Sequence, residues 1–362
     1  MTLILNCGIL LSIMNVSVSK IITSLLAGLD AKKREVIEGR YGLRDGEQKT
    51  LAELGSKYAV TRERIRQIEA GAFEDLQAVA GKSAEIGQFV NLVKTHIKNI
   101  GGVRREVLLL SDLRAMIGDP NTANLSSKVK LILEVAGEPK FCSDGREFHS
   151  YWYLNEEDRK KATTLVAKLA NWLNGRKDQE TISHEKVDSF FNEAIKPHNL
   201  KDLVALNYVS MSKLFHVNHF GDFGLSEWPS VNPRTVRDWV YLVLKKHAKP
   251  AHFENIAAMI NKVRKDSKVA HPQTVHNELI KDQRFILVGR GMYGLKEFGL
   301  MPGTAREVMS RLLKQHGPLT PKELLGLVLK ERLLKKNTIL INLQNKKYFK
   351  RLEDGRYTLH LV

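Results

Sequence analysis

Between Thr50 and Leu76 the apolar positions recur three and four residues apart, and they divide the stretch into two helices joined by a short turn. In "TLAELGSKYA" Leu51 and Leu54 share one side, and Thr50 and Glu53 have the capping-box spacing that opens a helix. Tyr58 and Ala59 then bridge to Thr61, a second N-cap, and the spacing predicts a longer helix from Arg62 to about Leu76. At about 100° per residue, Ile65, Ile68, Ala72 and Leu76 form one stripe. Arg62, Glu63, Arg66 and Gln67 form the opposite one. One face docks on neighbouring helices, and the other is left outward with hydrogen-bonding side chains.

Further along, a second pattern repeats. "FHVNHFGDFGL" (215–225), "FILVGRGMYGL" (285–295) and "FKRLEDGRYTL" (349–359) each place Gly six, an aromatic eight and Leu ten residues after Phe. That spacing predicts a β-hairpin with glycine at the turn, and with the aromatic and leucine on the inner face of the returning strand. Helix-periodic segments precede the second and third hairpins, with Pro250 and Pro318 at matching places. "LLLSDLRAMIG", "LSSKVKLILEVAG" and "KFCSDGREFHSYWYL" suggest a further unit whose hairpin lacks the shared spacing. The expected fold is mainly α with small β-hairpin wings, as tandem helix-turn-helix and winged-helix domains. The expected divisions are an apolar tail at 1–20, a helix-turn-helix at 21–80, and winged helices at 86–155, 156–230, 232–299 and 302–362.

Composition narrows the partners. The 362 residues carry a formal charge of +17, which points to a polyanion, with nucleic acid first; the plain alternative is that the lysines only keep the chain soluble. Two cysteines, Cys7 and Cys142, exclude a disulfide framework or a Cys-based zinc finger and fit a reducing, cytoplasmic, nucleoid-associated setting. The first nineteen residues are apolar without Lys or Arg, lack the basic start of a secretory signal, and are broken by Asn6, Ser12, Asn15 and Ser17, so no membrane role is expected. Met14 is an alternative start.

The outward stripe suits the major groove: Arg pairs with guanine O6 and N7, Gln with adenine and Glu with cytosine N4. A helix-turn-helix places such a second helix at the base edges. The competing reading is an ordinary solvated amphipathic helix. Here the sequence resembles a known family. "LDAKKREVIEGRYGLRDGEQKTLAELGSKYAVTRERIRQIEAGAFEDL", residues 29–76, is similar to region four of the sigma-70 family, the promoter-recognition subunits of bacterial RNA polymerase. The resemblance implies that Arg62, Glu63, Arg66 and Gln67 read the −35 promoter element, and that the domain docks on the polymerase flap. Thr50, Thr61, Arg64 and Arg290 are expected to contact phosphate and position the protein. Nothing else in the chain looks like the sigma regions that melt the −10 element, so a complete sigma factor is not expected. Residues 232–299, through "KPAHFENIAAMI" and "RFILVGRGMYGL", resemble the HARE-HTH domain, a winged helix of the delta subunit of some bacterial RNA polymerases and of chromatin-linked proteins. Its expected DNA-facing elements are "PQTVHNELIKD" and the wing at Gly289, Arg290 and Gly291.

Other chemistry finds no support in the pattern. There is no Walker loop, no HExxH and no carboxylate cluster with metal spacing, and the histidines are scattered. No catalytic or metal-ligating residue, cofactor or small-molecule substrate is expected, and the chain is not expected to be an enzyme. The expectation is a DNA-binding transcription factor acting at promoters with the RNA polymerase core. The alternative is a delta-subunit-like accessory that binds through protein contacts without reading sequence.

Overall fold

The computed structural model describes residues 17–117, 123–175, 182–183, 186, 190, 193–195, 200–264 and 268–360. Expectations for residues 1–16, with the alternative start at Met14, for 265–267 and for 361–362 lie outside them. The architecture is mainly α-helical with small antiparallel sheets. It divides into two compact units, one over Met1–Val217 and Gly221–Ser226, the other over Asn218–Phe220 and Glu227–Val362.

The first unit begins with α1 (Val18–Ala27), α2 (Ala31–Tyr41), α3 (Leu51–Lys57) and α4 (Arg62–Ala80). Ser17 caps α1, so Val18, Ser19 and Lys20 are helical rather than tail, and Val18 is fully buried. Next come α5 (Ala84–Asn99), β1 (Val103–Arg105), α6 (Glu106–Met116), α7 (Leu125–Ala136), β2 (Lys140–Cys142) and β3 (Tyr151–Tyr153). The unit closes with α8 (Glu156–Asn174), α9 (Asp202–Met211), β4 (Phe215–Val217) and β5 (Phe223–Leu225). The second unit holds α10 (Val236–His247), β6 (Ala251–His252), α11 (Phe253–Val263), α12 (Pro272–Lys281), β7 (Phe285–Gly289) and β8 (Met292–Leu295). After these follow α13 (Ala305–His316), α14 (Pro321–Glu331), α15 (Lys336–Leu343), β9 (Phe349–Arg351) and β10 (Tyr357–Leu359).

One plan recurs four times after α4. A helix leads to a short strand or a single bridging residue, then come helical segments and a hairpin, and the first strand pairs with the last. The sheets run β1-β3-β2 and β6-β8-β7, while Ile182 bridges Phe223 of β5 and Leu319 bridges Tyr357 of β10. Three hairpins share one register, with Phe215 opposite Leu225, Phe285 opposite Leu295 and Phe349 opposite Leu359. Their aromatics also match, since Phe223, Tyr293 and Tyr357 each sit opposite the residue two after the phenylalanine. Gly221, Gly291 and Gly355 have φ of 85°, 67° and 85°, the left-handed turn geometry the spacing called for.

What packs on what differs between the repeats. In the first, α7 is apolar on nearly every side and only Ser126 is exposed. It shares one hydrophobic cluster with Val18, Ile22, Ile37 and Leu76, so the helix-turn-helix segment and the first repeat have a common core. Polar contacts pin it there: Asn124 Nδ2 donates to the carbonyls of Leu43 (3.2 Å) and Arg44 (3.1 Å). Lys128 Nζ donates to Ser19 Oγ at 3.1 Å, and the Tyr41 hydroxyl donates to the Glu134 carboxylate. In the second repeat, α9 is turned onto the first. Asn207 Nδ2 donates to the carbonyls of Ile100 (2.9 Å) and Val103 (2.6 Å), and its Oδ1 accepts from Arg104 at 3.0 Å. Arg104 also forks onto Asp112 (2.8 and 2.9 Å), whose Oδ2 lies 2.8 Å from His96 Nε2.

Within the second unit the third and fourth repeats are joined at the edge of β7. The Leu333 N–H donates to the Val288 carbonyl at 2.9 Å. Arg332, only 4% exposed, donates to the carbonyls of Leu287, Met301 (2.7 Å) and Gly303 (2.6 Å), and burial lowers its pKa. A Cβ on Gly289 would lie 2.6 Å from the Leu333 carbonyl oxygen, so this position demands glycine for close approach.

Candidate nucleic-acid interface

The corner between α3 and α4 is set by local chemistry. Thr50 caps α3: its Oγ1 accepts from Glu53 N (3.2 Å), and Glu53 Oε2 accepts from Thr50 N (2.6 Å). These backbone and side-chain hydrogen bonds hold the Glu53 carboxyl below its usual range. Thr61 caps α4 by accepting from Arg64 N at 3.1 Å. Between the helices Ala59 takes φ 55°, and the Val60 N–H returns to the Gly55 carbonyl at 2.9 Å. A Cβ at Gly55 would lie 2.8 Å from the Val60 carbonyl oxygen. We expect Gly55→Ala to cost about 1–3 kcal/mol through this backbone overlap. Thermal unfolding checks it, and an unchanged transition would show that the corner relaxes freely.

The apolar stripe of α4 is docked in two places. Ile65 and Ile68 pack with Val36 and Leu54, while Ala72 and Leu76 enter the larger core shared with α1 and α7. Ion pairs brace α4 against α2: Lys33 to Asp75 at 2.6 Å and Arg40 to Glu69 at 2.9 Å. Tyr58 donates to Glu35 at 2.6 Å, tying the corner to α2 as well.

That docking leaves Arg62, Glu63, Arg64, Arg66 and Gln67 exposed on consecutive turns of α4, with Thr50 and Thr61 exposed at the two helix starts. Arg66 forks onto Glu63, Nε to Oε2 at 2.9 Å and Nη2 to Oε1 at 2.7 Å. This hydrogen bonding holds the Glu63 carboxyl below its usual range and raises Arg66. Arg64 Nη1 donates to Gln67 Oε1 at 3.1 Å. The stripe is therefore a set of ordered pairs, and reading a guanine or an adenine means exchanging these contacts for base edges. Thr50 and Thr61 spend acceptor lone pairs on their caps; the Thr61 hydroxyl proton remains able to donate to a phosphate, whereas the Thr50 hydroxyl is engaged by the Glu53 carboxylate. Arg290 is exposed at the β7–β8 turn but belongs to the other compact unit. Of the expected wing beside it, Gly289 is buried against Leu333.

We expect Arg66→Ala to weaken binding at a preferred site by about 1–3 kcal/mol, and more than Gln67→Ala does. It also leaves Glu63 as an unpaired carboxylate facing the polyanion. Titrations against a preferred and an unrelated duplex check this, and equal losses on both would mean phosphate contact alone.

Periodicity had no way to identify the platform behind this stripe. Lys128 and Glu134 of α7 hold α1 and α2, on which α4 rests, and Asn124 at the start of α7 holds the turn at Leu43 and Arg44. The signal was the run "KVKLILEV", too apolar all round for a helix with a free face. Among the described residues no three or more His, Cys, Asp or Glu side chains are grouped to hold a metal ion, and no helix is long and apolar enough to cross a membrane.

Residues 25–78 match the family Sigma-70, region 4. RNA polymerase sigma factor SigA4 of Synechococcus elongatus is 48% identical over 59 residues, covering 16% of this chain and 19% of that protein. RNA polymerase sigma factor SigA1 of the same organism is 53% identical over 53 residues, 15% of this chain and 13% of that protein. RNA polymerase principal sigma factor HrdD of Streptomyces griseus is 39% identical over 69 residues, 19% of this chain and 21% of that protein. The chain thus spans only 13–21% of the length of these relatives. The likeness covers the helix-turn-helix segment and leaves the four repeats outside it.

Proposed function

We propose that this protein is a sequence-specific DNA-binding transcription factor that acts at promoters together with the RNA polymerase core. The helix-turn-helix segment reads a promoter element through Arg62, Glu63, Arg66 and Gln67, while the repeats, which we take to be winged helices, extend the assembly. The observation that carries this reading is the exposed, ordered stripe on α4, in the stretch that resembles sigma-70 region four. The third repeat retains its HARE-HTH resemblance as part of the proposal. Its third helix, α12, buries only Val275 and Leu279 and keeps its other side chains exposed or half-buried.

A second reading is a polymerase accessory that works through protein contacts. It is favoured by the burial of α7 and α9, which removes the third helices of two repeats from any groove. Affinity isolation of the tagged full chain with RNA polymerase, followed by mapping of the bound DNA, separates the two. The promoter reading expects the core enzyme together with short, sequence-related sites upstream of transcription starts. Polymerase with no site preference would support the accessory reading, and no polymerase at all would overturn both.

A further inference from the structure

The four repeats differ in how much of the third helix and hairpin each leaves free. α7 is buried on the helix-turn-helix segment, and α9 is buried on the first repeat. In the third repeat, α12 is free but β7 is occupied along its edge by Leu333 and Arg332. Among the described residues, the fourth repeat alone keeps both elements clear. Its third helix, α15, buries only Ile339 and Leu343, and β9 buries only Phe349.

Charge follows the same division. Lys335 and Lys336 stand at the start of α15, Lys346 and Lys347 in the turn after it, and Lys350 and Arg351 on β9, all six exposed. None of them has a carboxylate partner among the described residues, whereas Arg356 is engaged by Asp354 at 2.6 Å. The turn that carries Lys346 and Lys347 is ordered by Asn345, whose carbonyl accepts from the N–H groups of Tyr348 (3.0 Å) and Phe349 (3.1 Å). Asn345 Oδ1 also accepts from Lys347 N at 3.1 Å. In the third repeat, by contrast, the cations of α12 and its following turn are largely paired. Lys281 sits 3.6 Å from Glu278, and Arg284 lies 2.8 Å from Asp282.

We propose that the fourth repeat is a second duplex-DNA-binding surface that grips phosphates through Lys335, Lys336, Lys346, Lys347, Lys350 and Arg351 without selecting a base sequence. Cations without carboxylate partners on an ordered helix start, turn and strand complement a phosphate backbone. Lysine, a flexible point charge, supplies attraction without the fixed fork that reads a base. The choice of DNA as the polyanion rests on the promoter-binding reading above. Anchored here, the chain holds DNA non-specifically while α4 makes the selection.

The test compares the full chain with the variant Lys335→Ala/Lys336→Ala/Lys346→Ala/Lys347→Ala. All four side chains are exposed, and circular dichroism confirms that the variant is folded. Binding to a random-sequence duplex is titrated across a salt series, and preference is measured by competition between a selected site and the random duplex. We expect the variant to bind the random duplex at least about tenfold more weakly near 0.15 M salt, with a log–log salt slope shallower by about 3. Its preference for the selected site should be unchanged. An unaltered affinity and slope would overturn the proposal, leave base reading by α4 intact, and return this face to protein docking. Undiminished preference in Arg66→Ala, with the lysine variant losing affinity and slope as expected, would instead sink the α4 reading and leave this surface standing. A wild-type chain that binds no duplex at all would sink both.

Discussion

Replacing Asp112 with alanine is expected to destabilise the first compact unit by about 3–5 kcal/mol, because it strands a guanidinium inside the protein. Arg104 has 9% of its side chain exposed, and both of its bonds to Asp112 are charge-assisted. His96, with 6% exposed, loses its partner at the same time. Asn207 alone then faces Arg104, and it cannot supply a charge. Burial pushes the Asp112 carboxyl upward, but hydrogen bonds and charge from His96 and Arg104 outweigh it and hold the group below its ordinary value. A depressed folded pKa means that this stabilisation is present above the ordinary carboxylate pKa and is lost as pH falls through the folded value, below about pH 4. Denaturant titration resolved by amide exchange should show the loss among the described residues of 17–217 and 221–226 and leave α10 to β10 unchanged. A change under about 1 kcal/mol would mean that the junction between the first two repeats does not depend on this network.

The second large effect is the response of DNA binding to salt. With +17 formal charge and cations spread along the chain, neutralising about six phosphates gives a log–log slope near −5. Raising salt from about 50 to 200 mM should then weaken duplex binding by about a thousandfold. Equilibrium titrations at several salt concentrations measure the slope directly. A flat response would move the account to protein docking, since protein interfaces release no comparable counterion atmosphere.

Local chemistry was legible in the sequence, and partnership was not. The capping box of Thr50 and Glu53 and the cap at Thr61 lie within four residues of what they bond, so they could be read from spacing. The Phe, Gly, aromatic and Leu spacing became a hairpin register three times, because cross-strand pairing follows from the turn. By contrast, "VRR" at 103–105 looks nothing like a strand. It is one because β3 pairs with it and because Asp112 and Asn207, the latter more than a hundred residues away, neutralise and satisfy Arg104. The run "LSSKVKLILEVAG" announced part of a folded unit at α7, but not the surfaces that α7 and α9 cover. Those surfaces decide which repeats remain open to a partner. The pairing of Arg66 with Glu63 was equally hidden, since two adjacent turns of like-spaced charges are compatible with either paired or free side chains.

The central claim is that α4 chooses among DNA sequences, and selection from a random pool tests it most directly. The full chain, Arg66→Ala and Gln67→Ala would each be equilibrated with random duplexes, and the bound fraction sequenced. The account predicts that the wild-type chain enriches one short motif, and that each variant relaxes the base choice at a different position of that motif while binding to the pool persists. Enrichment of no motif, or of the same motif with undiminished preference by both variants, would contradict it.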